Sequence, residues 1–179
     1  MRPKFSFASL LLFVTVAQLA IFGKYGYIMG MDFTLAMQRA IELARQAESL
    51  GEVPIGAVVL SPAGEIVGEG YNQNITLKDP TAHAEAMAIR AACQKLQSRY
   101  LTDCTLVVTL EPCVMCAGVA SWARVGKVVY GAADPKTGAL EQGPKVFTHA
   151  TTHHKCVVEG GVLADECASL MTNFFKSKR

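Results

Sequence analysis

Charged residues are scarce in this sequence of 179 residues: Asp, Glu, Lys and Arg together make up 18%, against 51% hydrophobic residues. A disordered chain has the opposite balance, so disorder is excluded for most of the sequence. The formal net charge is only +2, so the chain also lacks the broad basic field of a nonspecific nucleic-acid binder. Internal repeats and low-complexity runs are absent as well. The length therefore fits one domain with a substantial core, and any nucleic acid must be held by local patches and a shaped pocket.

Acidic residues are missing from residues 1–30, where three basic residues supply all the charge. Residues 5–23 are uncharged and mostly apolar, as in a signal peptide or a short membrane anchor. The alternative is a start site placed too far upstream, because Met29 and Met31 offer later starts and Met31 leads directly into an amphipathic helix pattern. We favour the later start. It predicts a cytoplasmic protein whose domain occupies residues 31–179, with no membrane contact unless 5–23 is a genuine anchor.

Helical and strand patterns alternate along the sequence after residue 32. Apolar residues recur every three or four positions in the segments predicted as helices, 33–50, 82–97 and 163–175, and a further helix is predicted to begin at Pro112. Short apolar runs predict strands over 53–60, 65–71, 105–110, 125–130 and 155–159. Residues 72–79 are predicted as a polar loop and 134–154 as irregular. This order predicts an α/β fold, a three-layer α/β/α sandwich with a mixed five-stranded sheet.

Two short motifs carry residue types that bind zinc: H-A-E at residues 83–85 and P-C-V-M-C at residues 112–116. His83, Cys113 and Cys116 fill three tetrahedral positions of a zinc ion, and a catalytic site keeps the fourth position open for water. Glu85 is left over to move protons at that position. Both motifs are predicted to begin helices, whose N-termini favour thiolates. We therefore expect one zinc ion on these three ligands, with Glu85 as the catalytic acid and base.

Either motif alone is weak evidence. A lone C-x-x-C pair is redox-active in some proteins and half of a structural zinc site in others. A structural zinc site needs a fourth protein ligand, and no further cysteine or histidine lies at ligand spacing from the pair; the candidates are Cys93, Cys104, His149, His153 and His154. The cysteines outside the motif have no repeated spacing. We therefore expect them to be small buried residues and do not predict a disulfide framework.

From about Phe33 to Arg179 the chain resembles the bacterial tRNA-specific adenosine deaminases of the cytidine deaminase superfamily. H-x-E followed by P-C-x-x-C is the signature of zinc-dependent nucleobase deaminases. The segments that resemble related deaminases in general are E-V-P-I-G-A-V at 52–58, D-P-T-A-H-A-E at 79–85 and T-L-E-P-C-V-M-C-A-G at 109–118. The segments that favour the tRNA enzymes are D-P-K-T-G-A at 134–139, L-A-D-E-C at 163–167 and F-F-K-S-K-R at 174–179.

The resemblance implies a reaction and further site residues. The substrate would be adenosine at the wobble position of a tRNA anticodon, which a homodimer would convert to inosine. Proteins that recognise RNA by sequence favour unstacked bases in loops, and an anticodon offers such bases. Asn72 matches an asparagine that hydrogen-bonds the target nucleoside, although alone it would be a turn residue. Asp134 lies in a loop that resembles one contacting RNA beside the flipped base. Phe174 and Phe175 match a C-terminal helix that grips the anticodon stem-loop, or they seal the core.

Two departures from the family pattern keep alternatives open. Residues 140–144 read L-E-Q-G-P where relatives commonly continue Gly-Ser-Leu, and His153 stands where Asn is common. A relative that deaminates free guanine or cytosine is therefore the first alternative. The second belongs to another class: a non-catalytic, zinc-stabilised RNA-binding or membrane-tethered module, for which Glu85 would be dispensable.

Overall fold

A mixed five-stranded sheet lies at the centre of the computed structural model, which describes residues 32–178. The strands are β1 Gly56–Leu60, β2 Ile66–Tyr71, β3 Thr105–Leu110, β4 Lys127–Ala132 and β5 Val157–Gly160. Their spatial order is β2-β1-β3-β4-β5. Strand β1 is antiparallel to β2 and β3, whereas β3, β4 and β5 run parallel to one another.

Helices cover both faces of this sheet. They are α1 Thr34–Ser49, α2 Asn74–Leu77, α3 Ala84–Lys95, α4 Val114–Trp122 and α5 Ala164–Ser177, with a 3₁₀ turn at Val146–Thr148. Helices α1 and α5 pack against each other and the sheet on one face, and α3 packs against the opposite face beside α4. The predicted three-layer α/β/α sandwich with a mixed five-stranded sheet is therefore confirmed.

Glycines in two strands allow the helices to approach the sheet closely. A Cβ atom on Gly56 would lie 2.1 Å from the carbonyl oxygen of Ala40 in α1, and one on Gly70 would lie 2.4 Å from that of Ala84 in α3. No side chain fits at either distance. Ala84 is the first residue of α3, so the contact with Gly70 fixes where the H-x-E motif lies relative to the sheet.

Two predicted elements differ from the structure. Helix α4 does not begin at Pro112, because Cys113 is still extended and pairs with Gly138 as an isolated bridge, so the first helical residue is Val114. The predicted polar loop over 72–79 contains the short helix α2. No amphipathic pattern marks this single turn, which the buried carboxylate of Glu52 stabilises by accepting backbone N–H bonds from its residues.

The hydrophobic segment 5–23 lies outside the described residues, so its assignment and the domain boundary at residue 31 stay predictions. Within residues 32–178, no helix combines the length and apolar character required to cross a bilayer. All six cysteines are free thiols. As expected for small buried residues, Cys104, Cys156 and Cys167 are buried, whereas Cys93 is half-buried.

Candidate metal centre

Three predicted zinc ligands converge at the beginnings of two neighbouring helices. His83 directly precedes α3, Cys113 directly precedes α4, and Cys116 lies in the first turn of α4. The Nδ1 atom of His83 is 3.8 Å from Sγ of Cys113 and 3.6 Å from Sγ of Cys116. Tetrahedral zinc with typical Zn–S and Zn–N bonds places sulfur and nitrogen ligands about 3.6 Å apart. The donor set and its spacing therefore fit a zinc ion.

Glu85 lies beside these ligands, in the first turn of α3. Its side chain is almost fully buried, and its Oε2 atom has no hydrogen-bond partner among the described residues. Burial raises the pKa of this carboxyl above its ordinary value, although its own backbone N–H opposes the shift. A buried carboxyl with a free oxygen beside three metal donors is placed to exchange protons with a water or substrate there.

The thiols of Cys113 and Cys116 have pKa values shifted in opposite directions. A hydrogen bond from Cys116 lowers the pKa of the Cys113 thiol to about 4, against the opposing effect of burial. The same bond raises the pKa of Cys116, and burial raises it further. Zinc coordinates thiolates, so binding at this site requires Cys116 to lose its proton.

A cleft of about 790 Å³ opens beside His83. Its walls come from the loop before α3, from the loop after β4 and from the last turns of α5, and they include Asn72, Asp134 and Phe175. The structure thus brings the two predicted substrate-binding residues to the same cleft as a predicted zinc ligand. The volume is typical of sites that enclose small organic groups.

Asn72 is buried, and its amide is partly used by the fold. Its Oδ1 atom accepts a hydrogen bond of 2.9 Å from the backbone N–H of Ala84, one of the unpaired donors at the start of α3. The amide nitrogen is the group left to contact a substrate. The predicted substrate-binding role of Asn72 stays a prediction, and the structure adds that Asn72 also caps the helix that begins after His83.

Asp134 organises its own turn. Its Oδ1 atom accepts backbone N–H bonds from Lys136 at 2.9 Å and Thr137 at 3.2 Å, and Oδ2 accepts the Thr137 hydroxyl. Burial alone would raise the pKa of Asp134, but these bonds outweigh it and hold the pKa below its ordinary value. Asp134 therefore stands in the cleft as an ordered carboxylate.

The two phenylalanines near the C-terminus have different environments. Phe174 is buried in the core, whereas Phe175 is 50% exposed and lines the cleft. Of the two predicted alternatives, packing in the core therefore applies to Phe174, whereas Phe175 lies where contact with a substrate is available. The 3.6-residue period of α5 directs neighbouring side chains to different sides.

Two buried carboxylates near the cleft received no role from the sequence. Glu52 accepts backbone N–H bonds from Ile75 at 3.2 Å and Thr76 at 2.7 Å, which holds α2 in one wall. Glu111, at the end of β3, accepts four backbone N–H bonds from the loop after β4 and is 2% exposed. The available signal was an acidic residue next to a buried strand, directly before the predicted strand 53–60 for Glu52 and directly after β3 for Glu111, because a charge in such a place requires partners.

Comparisons with known proteins support a deaminase site. Residues 32–132 match the family model described as cytidine and deoxycytidylate deaminase zinc-binding region. The tRNA-specific adenosine deaminase of Haemophilus influenzae is 46% identical over 143 residues, which are 80% of this chain and 83% of that protein. A solved structure from a study of A-to-I editing by tRNA:A34 deaminases at the wobble position is 43% identical with a TM-score of 0.75, covering 76% of this chain and 99% of the other. The guanine deaminase of Bacillus subtilis is 43% identical with a TM-score of 0.55, over 57% of this chain and 66% of the other.

Proposed function

The chain belongs to the cytidine and deoxycytidylate deaminase family, and from that premise we propose that it is a zinc-dependent hydrolase that converts adenosine to inosine at the wobble position of tRNA anticodons. The observation that carries the proposal is the extent of similarity to tRNA adenosine deaminases. The likeness to the tRNA:A34 deaminase structure combines 43% identity with coverage of 76% of this chain. The B. subtilis guanine deaminase is equally identical over only 57% of this chain, and the guanine deaminase of Nitrosomonas europaea covers 78% of it at only 24% identity.

The metal is one zinc ion per subunit, held by His83, Cys113 and Cys116. When bound, zinc lowers the pKa of a coordinated water toward neutrality and so supplies a nucleophile at working pH. The protein contributes the ligand geometry and two helix N-termini, which stabilise the negative charge of the thiolates.

Glu85 is the proton carrier. Its carboxylate accepts a proton from the attacking water and donates it to a ring nitrogen of the base. It then accepts the remaining proton from the hydroxyl that has joined the carbon and donates it to the departing amine. A carbon–oxygen bond forms, the carbon–nitrogen bond to the amino group breaks, and water and adenosine become inosine and ammonia. The position of Glu85 supports this role, because its carboxyl is buried beside the three ligands and its Oε2 atom has no hydrogen-bond partner among the described residues.

The target base leaves its stack and enters the cleft beside His83. Asn72 donates its amide N–H to the nucleoside, and Asp134 orders the loop beside the flipped base and contacts the RNA. Single bases in a loop unstack more readily than paired bases, which suits an anticodon. Phe175 and Lys176 line the cleft farther out and provide a stacking surface and a positive charge for the anticodon stem-loop.

The enzyme acts as a homodimer in the cytoplasm. A second groove of about 780 Å³ runs along α4, where Val114 is 55% and Trp122 is 70% exposed. Large exposed apolar side chains in one groove support a protein interface. The first N-terminal peptide of the native protein, identified by mass spectrometry, tests the location: a peptide from residues 5–23 in a membrane fraction would contradict it.

Deamination assays separate this function from its alternative. The purified protein is incubated with an anticodon stem-loop carrying adenosine at the wobble position, and separately with free guanine and cytosine, while inosine and ammonia are measured. The proposal expects inosine and equimolar ammonia from the stem-loop. Ammonia from guanine without inosine in the RNA would favour a free-base deaminase, which the similarity to the B. subtilis enzyme makes the second candidate.

A further inference from the structure

We propose that Glu111 is a positioning residue that fixes the substrate wall of the cleft by binding the loop at residues 134–142 at both of its ends. The inference rests on the proposed function, because it assigns Glu111 to the wall that faces the RNA. Glu111 itself is buried and does not line the cleft.

The carboxylate of Glu111 is saturated by backbone donors from this loop. Its Oε1 atom accepts N–H bonds from three consecutive residues, Leu140, Glu141 and Gln142, at 3.0, 2.8 and 2.9 Å. Its Oε2 atom accepts the N–H of Asp134 at 3.2 Å. An ionised carboxylate offers about four acceptor positions, and bonds to an ionised group are stronger than neutral ones. One buried side chain therefore joins the beginning of the loop to its end.

The loop is also attached to the segment that presents the predicted zinc ligands. Glu111 directly precedes Pro112, whose carbonyl accepts the N–H of Ala139 at 3.0 Å. The next residue, Cys113, forms a bridge with Gly138. These contacts tie the position of Asp134 to that of Cys113, so the substrate wall and the metal centre share one rigid support.

Gly138 provides the space that this arrangement requires. A Cβ atom there would lie 2.6 Å from Oε2 of Glu111 and 2.4 Å from the carbonyl oxygen of Asp134. Such distances are too short for any side chain. A residue larger than glycine would therefore push the carboxylate away from the loop.

The hydrogen bonds that Glu111 accepts come from backbone N–H groups, so they do not depend on which side chains the loop carries. Every residue except proline has the N–H group that Glu111 binds, and Pro144 lies beyond Gln142, the last donor. The departure of L-E-Q-G-P from the family pattern therefore changes the side chains of the loop without removing the bonds that position Asp134.

The test compares Glu111→Gln with Glu141→Gln as a matched control. Glutamine keeps the size of Glu111 but replaces one acceptor oxygen by an NH₂ group, which leaves a backbone donor of the loop facing another donor. Glu141→Gln removes the same charge from the same loop, at a side chain that instead accepts the hydroxyl of Tyr130. Hydrogen exchange of peptides covering residues 134–142 is measured by mass spectrometry on the zinc-loaded proteins, together with zinc content and stem-loop kinetics.

We expect exchange in residues 134–142 to accelerate roughly tenfold in Glu111→Gln, because a buried charged acceptor is lost, and to stay near wild type in Glu141→Gln. The KM for the stem-loop should rise by about tenfold with kcat changed less than about threefold and the zinc content intact, because only the wall has moved. Unchanged exchange, loss of zinc, or a fall in kcat at constant KM would overturn the proposal, and so would equal effects in the control.

A second variant and a second readout keep the test decisive. If Glu111→Gln does not fold, Gly138→Ala displaces the carboxylate from the other side and should raise exchange and KM in the same way. If the wild-type protein forms no inosine, the proposed function fails, while the exchange measurement still decides whether Glu111 holds the loop.

Discussion

The Nδ1 atom of His83 lies 3.6 Å from the Sγ atom of Cys116, although 33 residues separate them in the sequence. They meet because α3 and α4 pack side by side and both begin at the same edge of the sheet. A metal centre made from two helix starts depends on how closely those helices approach. Its affinity for zinc should therefore depend both on the three ligands and on the packing of the two helices that position them.

Glu85→Ala should abolish most of the deamination while zinc remains bound. General acid–base catalysis by a positioned side chain contributes about 10²–10⁴-fold, so kcat should fall by that factor. Inosine formation and zinc content are measured on the same preparation. Glu65→Ala, at an exposed acid in the turn between β1 and β2, should leave both unchanged. Full activity in Glu85→Ala would exclude the proton-carrier role.

Cys116→Ser should remove zinc from the protein and lower its melting temperature. Serine is a poor zinc ligand at neutral pH, and an ion that binds only the folded state adds stability. Metal analysis and thermal unfolding, before and after treatment with a chelator, measure both effects. The chelator should destabilise wild type and Cys93→Ser, whose half-buried thiol lies outside the site, but not Cys116→Ser. A zinc content of one in Cys116→Ser would show that the ligand set is different.

Gly70→Ala should destabilise the fold and disturb the metal centre together. The added methyl group would lie 2.4 Å from the carbonyl oxygen of Ala84, and overpacking of this kind costs about 1–3 kcal/mol or more. Urea unfolding measures the free energy, and zinc affinity reports the position of His83. Gly118 in α4 lines the groove proposed as the dimer interface, so its control is made in the monomeric Trp122→Glu background. No atom of the same chain lies within 4 Å of an added Cβ there, so Gly118→Ala should be neutral or stabilising by about 0.5–1 kcal/mol. Equal effects at both positions would argue against close packing as the cause.

Glu52 should stabilise the protein at neutral pH and not in acid. Burial raises the pKa of Glu52, but the N–H donors of Thr76 and Ile75 outweigh it and hold the pKa below its ordinary value. A group whose pKa is lower in the folded state contributes stability above its unfolded pKa of about 4.3, and this contribution is lost as pH falls through the folded pKa.

Glu52→Gln should therefore lower the free energy of unfolding by about 1–3 kcal/mol at pH 7, because backbone donors of α2 lose an acceptor. The difference from wild type should shrink as the pH falls from the unfolded pKa of about 4.3 down through the lower folded pKa, as the native carboxyl becomes protonated. Urea unfolding at several pH values measures it. A difference that stays constant with pH would mean that packing, not charge, makes Glu52 important.

Trp122→Glu should convert the proposed homodimer to a monomer. The indole is 70% exposed and stacks on His153 with the ring centres 4.7 Å apart. In a dimer whose interface uses this groove, the glutamate of Trp122→Glu would place a charge without a partner at the contact. Light scattering after size-exclusion chromatography measures the mass. Leu35 lies on a different helix, α1, and is 78% exposed, so Leu35→Glu should leave the mass unchanged. A monomeric wild type would contradict the dimer.

The elements that periodicity predicted are present because their amphipathic patterns are local and strong. Strand β3 occupies 105–110 as predicted, and the helices over 33–50 and 82–97 begin and end within two residues of their predicted bounds. The error at Pro112 has a tertiary cause. Proline suits a first helical turn, but the bridge from Cys113 to Gly138 keeps the backbone extended for two more residues.

The sequence alone determined the chemistry of the candidate site: one imidazole, two thiols and a spare carboxyl, each near a helix start. Residue type and local period carry that information, because both depend on neighbours a few positions away. The tertiary structure decided the rest: that Glu111 holds both ends of the loop at 134–142, that Asp134 caps its own turn, and that Phe175 faces the cleft while Phe174 is buried. A buried carboxylate can be recognised as needing partners from sequence, but which backbone donors reach it depends on the path of a loop that lies more than twenty residues away.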